Sequence, residues 1–237
     1  MSHTQLLPAL LPFSETEGEG ASRHLGIRFN QEGKFLPEPG NTIVCHLTEG
    51  SPNRQAISNA RSRYMSMVEA DRLAFTAESS LHMTLFQGII EYRRALPYWP
   101  ADIPLETPID DMTEILAQRL EHFRKGPSFR VHVTHMLPTG LQVEGVTAQD
   151  RAAMAEWRNR LADLFGYRHP DHDSYQFHIT FAYVIRPLSE QALFQWQSML
   201  GEVRDELRAQ FDHIELDPPA FCAFEDMHHF EELLVLD

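Results

Sequence analysis

The chain lacks most of the features that mark secreted or membrane-bound proteins. It has only 2 cysteines in 237 residues, and Cys45 and Cys222 each lie in an apolar stretch with no second cysteine nearby. We therefore expect two buried thiols, no metal-ligand pattern and a reducing, cytoplasmic setting. Residues 1–13 lack the basic start and continuous apolar core of a secretory signal. No stretch of the sequence is long and apolar enough to cross a membrane.

Positive charge is also scarce. The chain has 34 acidic and 20 basic side chains, which gives a formal net charge of −14. A long polyanion would be repelled by this charge unless basic side chains were concentrated locally, and the sequence contains no such run. We therefore expect a small phosphorylated ligand or an RNA end as the partner, and neither extended duplex nucleic acid nor a membrane.

Two familiar catalytic motifs are missing, whereas histidine is abundant. The sequence contains no glycine-rich phosphate loop and no serine-nucleophile elbow. Its 13 histidines and 12 threonines would give fewer than one His-x-Thr tripeptide at random, and the chain has four. Two of them share apolar flanks, LHMTL at residues 81–85 and FHITF at residues 177–181, and lie 96 residues apart. The other two, which begin at His46 and His132, lack such flanks.

The apolar flanks predict that each of the paired motifs lies in a β-strand. Successive side chains of a strand point to opposite faces, so His82 and Thr84 share one face, as do His178 and Thr180. Each motif therefore offers an imidazole beside a hydroxyl. If the two strands lay side by side, the four side chains would face one groove, an arrangement suited to proton transfer to and from a phosphate ester.

This pair of motifs resembles the 2H phosphoesterase superfamily, whose members carry one apolar-flanked His-x-Thr/Ser motif in each half of a pseudo-symmetric fold. Within that superfamily the chain resembles an uncharacterised branch. The resemblance implies an α+β fold of pseudo-two-fold duplicated lobes, with antiparallel sheets flanked by helices around a central groove. It also implies a metal-independent phosphoesterase without a cofactor, most specifically a 2',3'-cyclic phosphodiesterase acting on a nucleotide or RNA terminus.

The resemblance assigns roles to the four motif residues. His82 and His178 would serve as general acid and base, in an order that the sequence leaves open, because an imidazole can hold either protonation state near neutral pH. Thr84 and Thr180 would donate hydrogen bonds to nonbridging phosphate oxygens.

The predicted elements suggest an internal duplication. Residues 1–40 are rich in Pro, Gly and Glu and predict an arm of loops, followed by a single bilobed domain over residues 41–237. The order strand, helix, motif strand, helix, strand occurs twice, in lobes of about 41–137 and 138–237. The bounds that we predict are strands at 42–47, 80–90, 129–137, 141–146, 175–185, 214–224 and 232–236, and helices at 56–73, 111–123, 148–165 and 190–211.

Several side chains are weaker candidates for binding the substrate. Tyr175 precedes the second motif and could stack on a base, and Thr42 and His46 share one face of the first strand. For capping, we expect Asp110 or Asp111 to begin the second helix, and Thr147 and Gly166 to bound the third. We expect the protein to act as a monomer.

Two alternatives remain open at this point. The same fold and histidines would also suit a non-catalytic module that binds nucleotides or phosphorylated metabolites. A divalent-metal hydrolase could instead use the cluster of imidazoles and carboxylates at residues 169–173, although Pro170 argues for a loop and the spacing matches no recognised ligand pattern.

Overall fold

The structure is a computed structural model, and it describes residues 5–18, 20 and 22–237. After a short 3₁₀ helix at Pro8–Phe13, the strands and α-helices follow in chain order. They are β1 (Gly40–His46), α1 (Pro52–Met65), β2 (Leu73–Phe75), β3 (His82–Ile90), α2 (Ile109–Leu120), β4 (Val131–Leu137), β5 (Gly140–Gly145), α3 (Ala148–Phe165), β6 (Phe177–Thr180), β7 (Ala182–Val184), α4 (Glu190–Gln210), β8 (Ala220–Phe224) and β9 (Glu231–Val235).

The fold is α+β, with a large antiparallel sheet flanked by helices, as the sequence predicts. The sheet has seven strands in the order β4-β5-β6-β3-β1-β8-β9, and each neighbouring pair is antiparallel. Strand β4 of the first half of the chain pairs with β5 of the second half, and β8 of the second half pairs with β1 of the first. The two halves therefore contribute to one continuous sheet rather than to separate ones.

The two faces of this sheet have different roles. The main core joins one face to all four helices, and Met83 and Ile179 point into it with no exposed surface. The opposite face carries the motif histidines and a smaller apolar cluster, which packs β1 and β8 against Phe29 and Phe35. The N-terminal segment thus folds back onto the sheet, and residues 22–39 cover the face on which the polar motifs lie.

Two predicted elements end earlier than the sequence suggests. The helix predicted over residues 56–73 stops at Met65, and Glu69 adopts a left-handed conformation with φ of 59° that a helix cannot include. The strand predicted over residues 175–185 breaks after Thr180, where the amides of Phe181 and Ala182 both donate to one carbonyl, that of Thr139. The chain then leaves the main sheet and forms the small β2–β7 ladder, which the sequence did not reveal.

Two further predictions need correction. The strand predicted over residues 214–224 begins only at Ala220, because Pro218 and Pro219 have no N–H to donate to a ladder. Helix α2 has Pro108 as its N-cap, without a side-chain hydrogen bond. Asp110 and Asp111, predicted as caps, lie instead in the first turn, where their charges interact favourably with the helix dipole.

The bounds of α3 and the burial of the thiols follow the prediction. Thr147 and Asp150 form a reciprocal capping box at its start, and Gly166 ends it in the left-handed conformation at φ of 78°. Cys45 and Cys222 are free and buried. In the part of the chain that the structure describes, no helix has the length and apolarity needed to span a membrane.

The close approach of β1 to β3 generates a prediction about stability. A Cβ added at Gly88 would lie 1.9 Å from the carbonyl oxygen of Asn41 on the paired strand, so Gly88→Ala must push the two strands apart. We expect it to lower the free energy of unfolding by about 2 kcal/mol or more in urea denaturation. Gly201→Ala is the matched control, because its Cβ would meet nothing within 4 Å in helix α4, and it should stabilise the protein slightly. Equal effects of the two substitutions would contradict this account.

Candidate functional site

The two His-x-Thr motifs meet at the centre of the sheet. Strands β3 and β6 are antiparallel neighbours in which Met83 lies opposite Ile179. This register places His82 opposite Thr180 and Thr84 opposite His178, all on the face away from the helices. The two histidines therefore lie on one diagonal of a four-residue rectangle and the two threonines on the other. Side chains on such a diagonal are about 7–8 Å apart, a separation that leaves room for a phosphate between the imidazoles.

Each imidazole is held by a hydrogen bond to the backbone carbonyl two residues before it in the chain. Nδ1 of His82 lies 2.7 Å from the carbonyl oxygen of Ser80, and Nδ1 of His178 lies 3.1 Å from that of Gln176. A carbonyl oxygen can only accept, so Nδ1 carries the proton in each neutral ring. Nε2 is therefore the nitrogen of each ring that is available to a ligand, and it has a free lone pair in the neutral state.

The two histidines differ in their surroundings. The ring of His82 packs edge-on against Phe230, with ring centroids 4.2 Å apart, and lies beside His46 at 5.9 Å. Burial, together with the nearby imidazole of His46, lowers the pKa of His82 to about 3. His178 lies at the mouth of the pocket and is exposed to solvent. Partial burial lowers its pKa too, opposed by the hydrogen bond to Gln176.

All four motif side chains line one pocket of about 140 Å³. No carboxylate lines it among the described residues, although acidic side chains outnumber basic ones in the chain. Its polar and charged lining residues are Arg28, Asn41, Thr42, Thr76, Ser80, His82, Thr84, Gln87, Arg93, Tyr175, His178, Thr180 and Tyr183. A pocket with two arginines, two histidines and no acid is suited to an anion.

A β-bulge turns Gln87 toward this pocket. Along β3 the register with β1 shifts, so that Val44 pairs with Thr84 and Ile43 with Phe86, and the extra residue reverses the alternation of faces. The amide of Gln87 contacts Nδ1 of His169 and the hydroxyl of Tyr175. Simple alternation would assign Gln87 to the core face, so the sequence pattern alone could not identify it.

Two of the three weaker candidates line the pocket. Tyr175 does, and the guanidinium of Arg158 lies 4.2 Å from its ring centroid on the buried side. Thr42 also lines the pocket, but its hydroxyl donates to the carbonyl of Phe86 at 3.1 Å. His46 does not line it: this residue lies behind His82, with Nε2 at 3.7 Å from Glu232.

The remaining histidine clusters do not form metal sites in the described residues. His132 lies on β4, with Nε2 at 3.4 Å from Glu144, outside the pocket. His169 and His172 are both buried, each hydrogen-bonded to a different amide side chain, Gln87 and Asn159. Across residues 5–18, 20 and 22–237, no three His, Cys, Asp or Glu side chains converge as metal ligands would.

The structure adds three residues to the site that the motifs predict. Arg28 and Tyr183 reach the pocket from the N-terminal segment and from β7, and Arg93 reaches it from the turn after β3. Arg28 forms an ion pair with buried Glu38, at 2.5 and 2.8 Å, and lies over the ring of Tyr183 at 5.0 Å. These contacts join segments that are distant in sequence, so no local pattern predicts them.

Comparisons with known proteins give a family match and a solved structure that is similar over nearly the whole chain. Residues 28–142 match the family model described as 2H-phosphodiest, domain of unknown function (DUF1868). The chain is 51% identical to the conserved protein of unknown function ATU0111 from Agrobacterium tumefaciens strain C58, whose crystal structure superposes with a TM-score of 0.96 over 98% of this chain and 100% of that one. No curated protein matches the chain.

Over residues 28–142 the chain thus matches the 2H phosphodiesterase family that the paired motifs suggested. The matched segment contains the first motif and ends before the second. The second motif is linked to the first by the register of β3 and β6 and by the shared backbone contact of the two histidines.

The burial of His82 leads to a titration experiment. With its pKa lowered to about 3, the ring of His82 should stay neutral as the pH falls from 7 to 4. NMR of the ring protons would follow the protonation state of His82 as the pH changes. The His82→Asn variant would identify the resonance, because that resonance would be missing from its spectrum. A midpoint near the ordinary histidine value of 6.5 would show that the pocket does not exclude water from this ring as described.

Proposed function

We propose that the protein is a metal-independent phosphoesterase that hydrolyses the 2',3'-cyclic phosphate of a nucleotide or RNA terminus. The observation that carries this proposal is the rectangle of two imidazoles and two hydroxyls in a pocket that no carboxylate lines among the described residues. Two imidazoles on one diagonal can act on opposite sides of a phosphorus atom, as general acid–base catalysis of a phosphodiester requires.

The strand order supports a duplicated fold around this site. We propose lobes of about residues 41–137 and 138–237, preceded by the N-terminal arm. The equivalent strands of the two lobes are β1 and β5, β3 and β6, and β4 and β8. In the order β4-β5-β6-β3-β1-β8, the two members of each pair lie equally far from the centre, on opposite sides of it. Such an order is expected for a pseudo-two-fold axis between β3 and β6, and the motif pocket lies at that axis.

The environments of the two histidines suggest which is the base. His82 is half-buried and packs against Phe230, and the neutral form of its ring is strongly favoured, so its Nε2 has a lone pair that can accept a proton from water. His178 is exposed at the mouth, where a leaving alcohol can depart and where the charged ring keeps part of its hydration. We therefore assign His82 as the general base and His178 as the general acid.

The reaction then follows in one displacement. Nε2 of His82 takes a proton from water as its oxygen forms a bond to phosphorus. The phosphorus–oxygen bond of the cyclic ester breaks, and Nε2 of protonated His178 gives its proton to the departing ribose oxygen. The products are a phosphate monoester and a free hydroxyl, and solvent returns both rings to their starting states.

The two threonines would stabilise the transition state. Thr84 and Thr180 occupy the other diagonal, from which a hydroxyl can donate to each nonbridging oxygen as negative charge accumulates there. The 140 Å³ pocket is smaller than the 300 Å³ or more that is typical of a site enclosing a whole ligand. The rest of a nucleotide or RNA end would therefore lie in the adjoining groove of about 660 Å³, which shares His178, Thr180 and Tyr183.

Substitution of the motif residues tests this proposal. In EDTA, the wild-type protein should hydrolyse 2',3'-cyclic nucleotides, and His82→Ala or His178→Ala should each lower kcat/KM by at least about a hundredfold. Thr84→Val and Thr180→Val should each lower it by about tenfold or more, because each removes one donor to a charged oxygen.

The chain offers its own control. His132 belongs to a third His-x-Thr tripeptide on β4, outside the pocket, so His132→Ala should leave the rate unchanged. Activity that disappears in EDTA would indicate a metal hydrolase. Binding of nucleotides without turnover, lost in both histidine variants, would indicate a binding module on the same fold.

The pKa shifts also predict a pH profile. The active form has neutral His82, present above a pH of about 3, and protonated His178, present below a pKa that lies under 6.5. Because kcat/KM reports the free enzyme, it should reach its maximum on the acidic side of 6.5 and fall as the pH rises beyond that value. A kcat/KM that keeps rising into the alkaline range would contradict acid catalysis by His178.

A further inference from the structure

Arg93 lies in the motif pocket but is not part of the motifs. It follows β3 in the turn after Ile90, and its side chain lines the same pocket as His82 and His178. Its guanidinium lies over the ring of Tyr98, 4.8 Å from the centroid. Since Arg can stack and still use the edge of its planar group for hydrogen bonds, this contact fixes the cation without using its donors.

The donors of Arg93 are largely unused. Its one side-chain hydrogen bond to a described residue runs from Nη2 to the carbonyl of Gly88, at 3.4 Å. Nε is buried without an acceptor, and among described residues no carboxylate lies within 4.0 Å of the guanidinium. The adjacent Arg94, by contrast, binds Glu91 at 2.6 Å and the carbonyls of Leu105 and Thr107. Arg93 is half-buried, and its Nη1 has no hydrogen-bond partner among the described residues, so the outer edge of the guanidinium is free to bind a ligand.

The charge balance of the pocket supports the same conclusion. Arg28, the other arginine of the lining, is matched by buried Glu38, so this ion pair adds no net charge. Burial lowers the pKa of Arg93, but an arginine pKa starts so high that the group stays protonated at neutral pH. Arg93 therefore contributes an uncompensated positive charge to a pocket that no carboxylate lines among described residues.

The position of Arg93 sets the spacing between two anions. Gly88, which Arg93 contacts, lies four residues after Thr84 along β3, roughly 13 Å at about 3.3 Å per residue. The long side chain of arginine spans part of that distance. An anion bound at Arg93 would thus be separated from a phosphate between the two histidines by several ångströms, and Gln87 lies between the two positions on the strand.

We propose that Arg93 forms a second anion subsite, so that the preferred substrate carries a phosphate monoester in addition to the phosphodiester that is cleaved. The claim that the cleaved group is a phosphodiester rests on the proposed function, whereas the anion subsite at Arg93 does not. A mononucleotide with both a 2',3'-cyclic phosphate and a 5'-phosphate has the required chemistry. Arg93 would bind the monoester through paired N–H donors, a contact that a lysine reproduces only as a point charge.

A matched pair of substrates tests the subsite. Adenosine 2',3'-cyclic phosphate and the same compound with a 5'-phosphate differ only in the second anion. In the wild type we expect kcat/KM to favour the doubly phosphorylated compound by about tenfold or more. Arg93→Gln should bring that ratio close to one, and because the ratio compares two substrates of the same variant, it does not depend on how far the basal rate changes. Arg93→Lys should recover part of the ratio.

A binding measurement separates this inference from the proposed function. Calorimetry would compare adenosine 2',5'-bisphosphate with adenosine 2'-monophosphate, neither of which requires turnover. Arg186→Gln is the control, because it removes an equal charge from an exposed side chain that pairs with Asp71 outside the pocket. It should leave both the rate ratio and the binding ratio unchanged, and thermal unfolding of each variant would confirm that it is folded.

The outcomes distinguish the two claims. A preference for the second phosphate that Arg93→Gln abolishes supports the subsite, even if no cyclic phosphate is hydrolysed, in which case the proposed function fails alone. Turnover of both cyclic compounds with equal kcat/KM in the wild type overturns the subsite and leaves the proposed function intact. A preference that persists in Arg93→Gln, or one that Arg186→Gln abolishes equally, also overturns it.

Discussion

The arrangement of the site depends on the antiparallel pairing of β3 with β6. One register, with Met83 opposite Ile179, simultaneously directs two apolar side chains into the core and four polar ones into the pocket. A slip of one residue in either strand would bury a histidine and a threonine and expose their apolar neighbours. The burial of Met83 and Ile179 therefore fixes the geometry of the catalytic candidates, and the hydrophobic core and the site share one constraint.

The second requirement is a pocket that is partly closed and free of negative charge. The N-terminal segment supplies Arg28 and Phe29, and the loop after β8 supplies Phe230, which packs on His82. This cover removes water from the imidazole and disfavours its charged form, which is why the pKa of His82 falls. The charge of Glu38 is neutralised by Arg28. The pocket is therefore lined by cationic and neutral side chains, although the protein as a whole is strongly acidic. The pocket can thus attract an anion that the rest of the surface repels.

Local sequence patterns predicted what depends on local physics. The apolar flanks of both motifs identified β3 and β6, and Thr147 and Gly166 marked the ends of α3, because capping and alternation are properties of a few neighbouring residues. The residues brought in by tertiary contacts could not be read in this way. Gln87 required a bulge that reverses the alternation, and Arg28 required the folding of a distant segment over the sheet. The split of β6 from β7 depends on the carbonyl of Thr139, which no pattern near Phe181 reveals.

The central claim is that His82 and His178 act on opposite sides of one phosphate. A crystal structure with bound adenosine 2'-monophosphate, a phosphate monoester of the kind that the proposed reaction releases, tests it most directly. We expect Nε2 of both histidines to lie within about 3 Å of oxygens of the same phosphate, with the hydroxyls of Thr84 and Thr180 on its remaining oxygens. A phosphate bound outside this rectangle, or contacted by only one of the two imidazoles, would contradict the account.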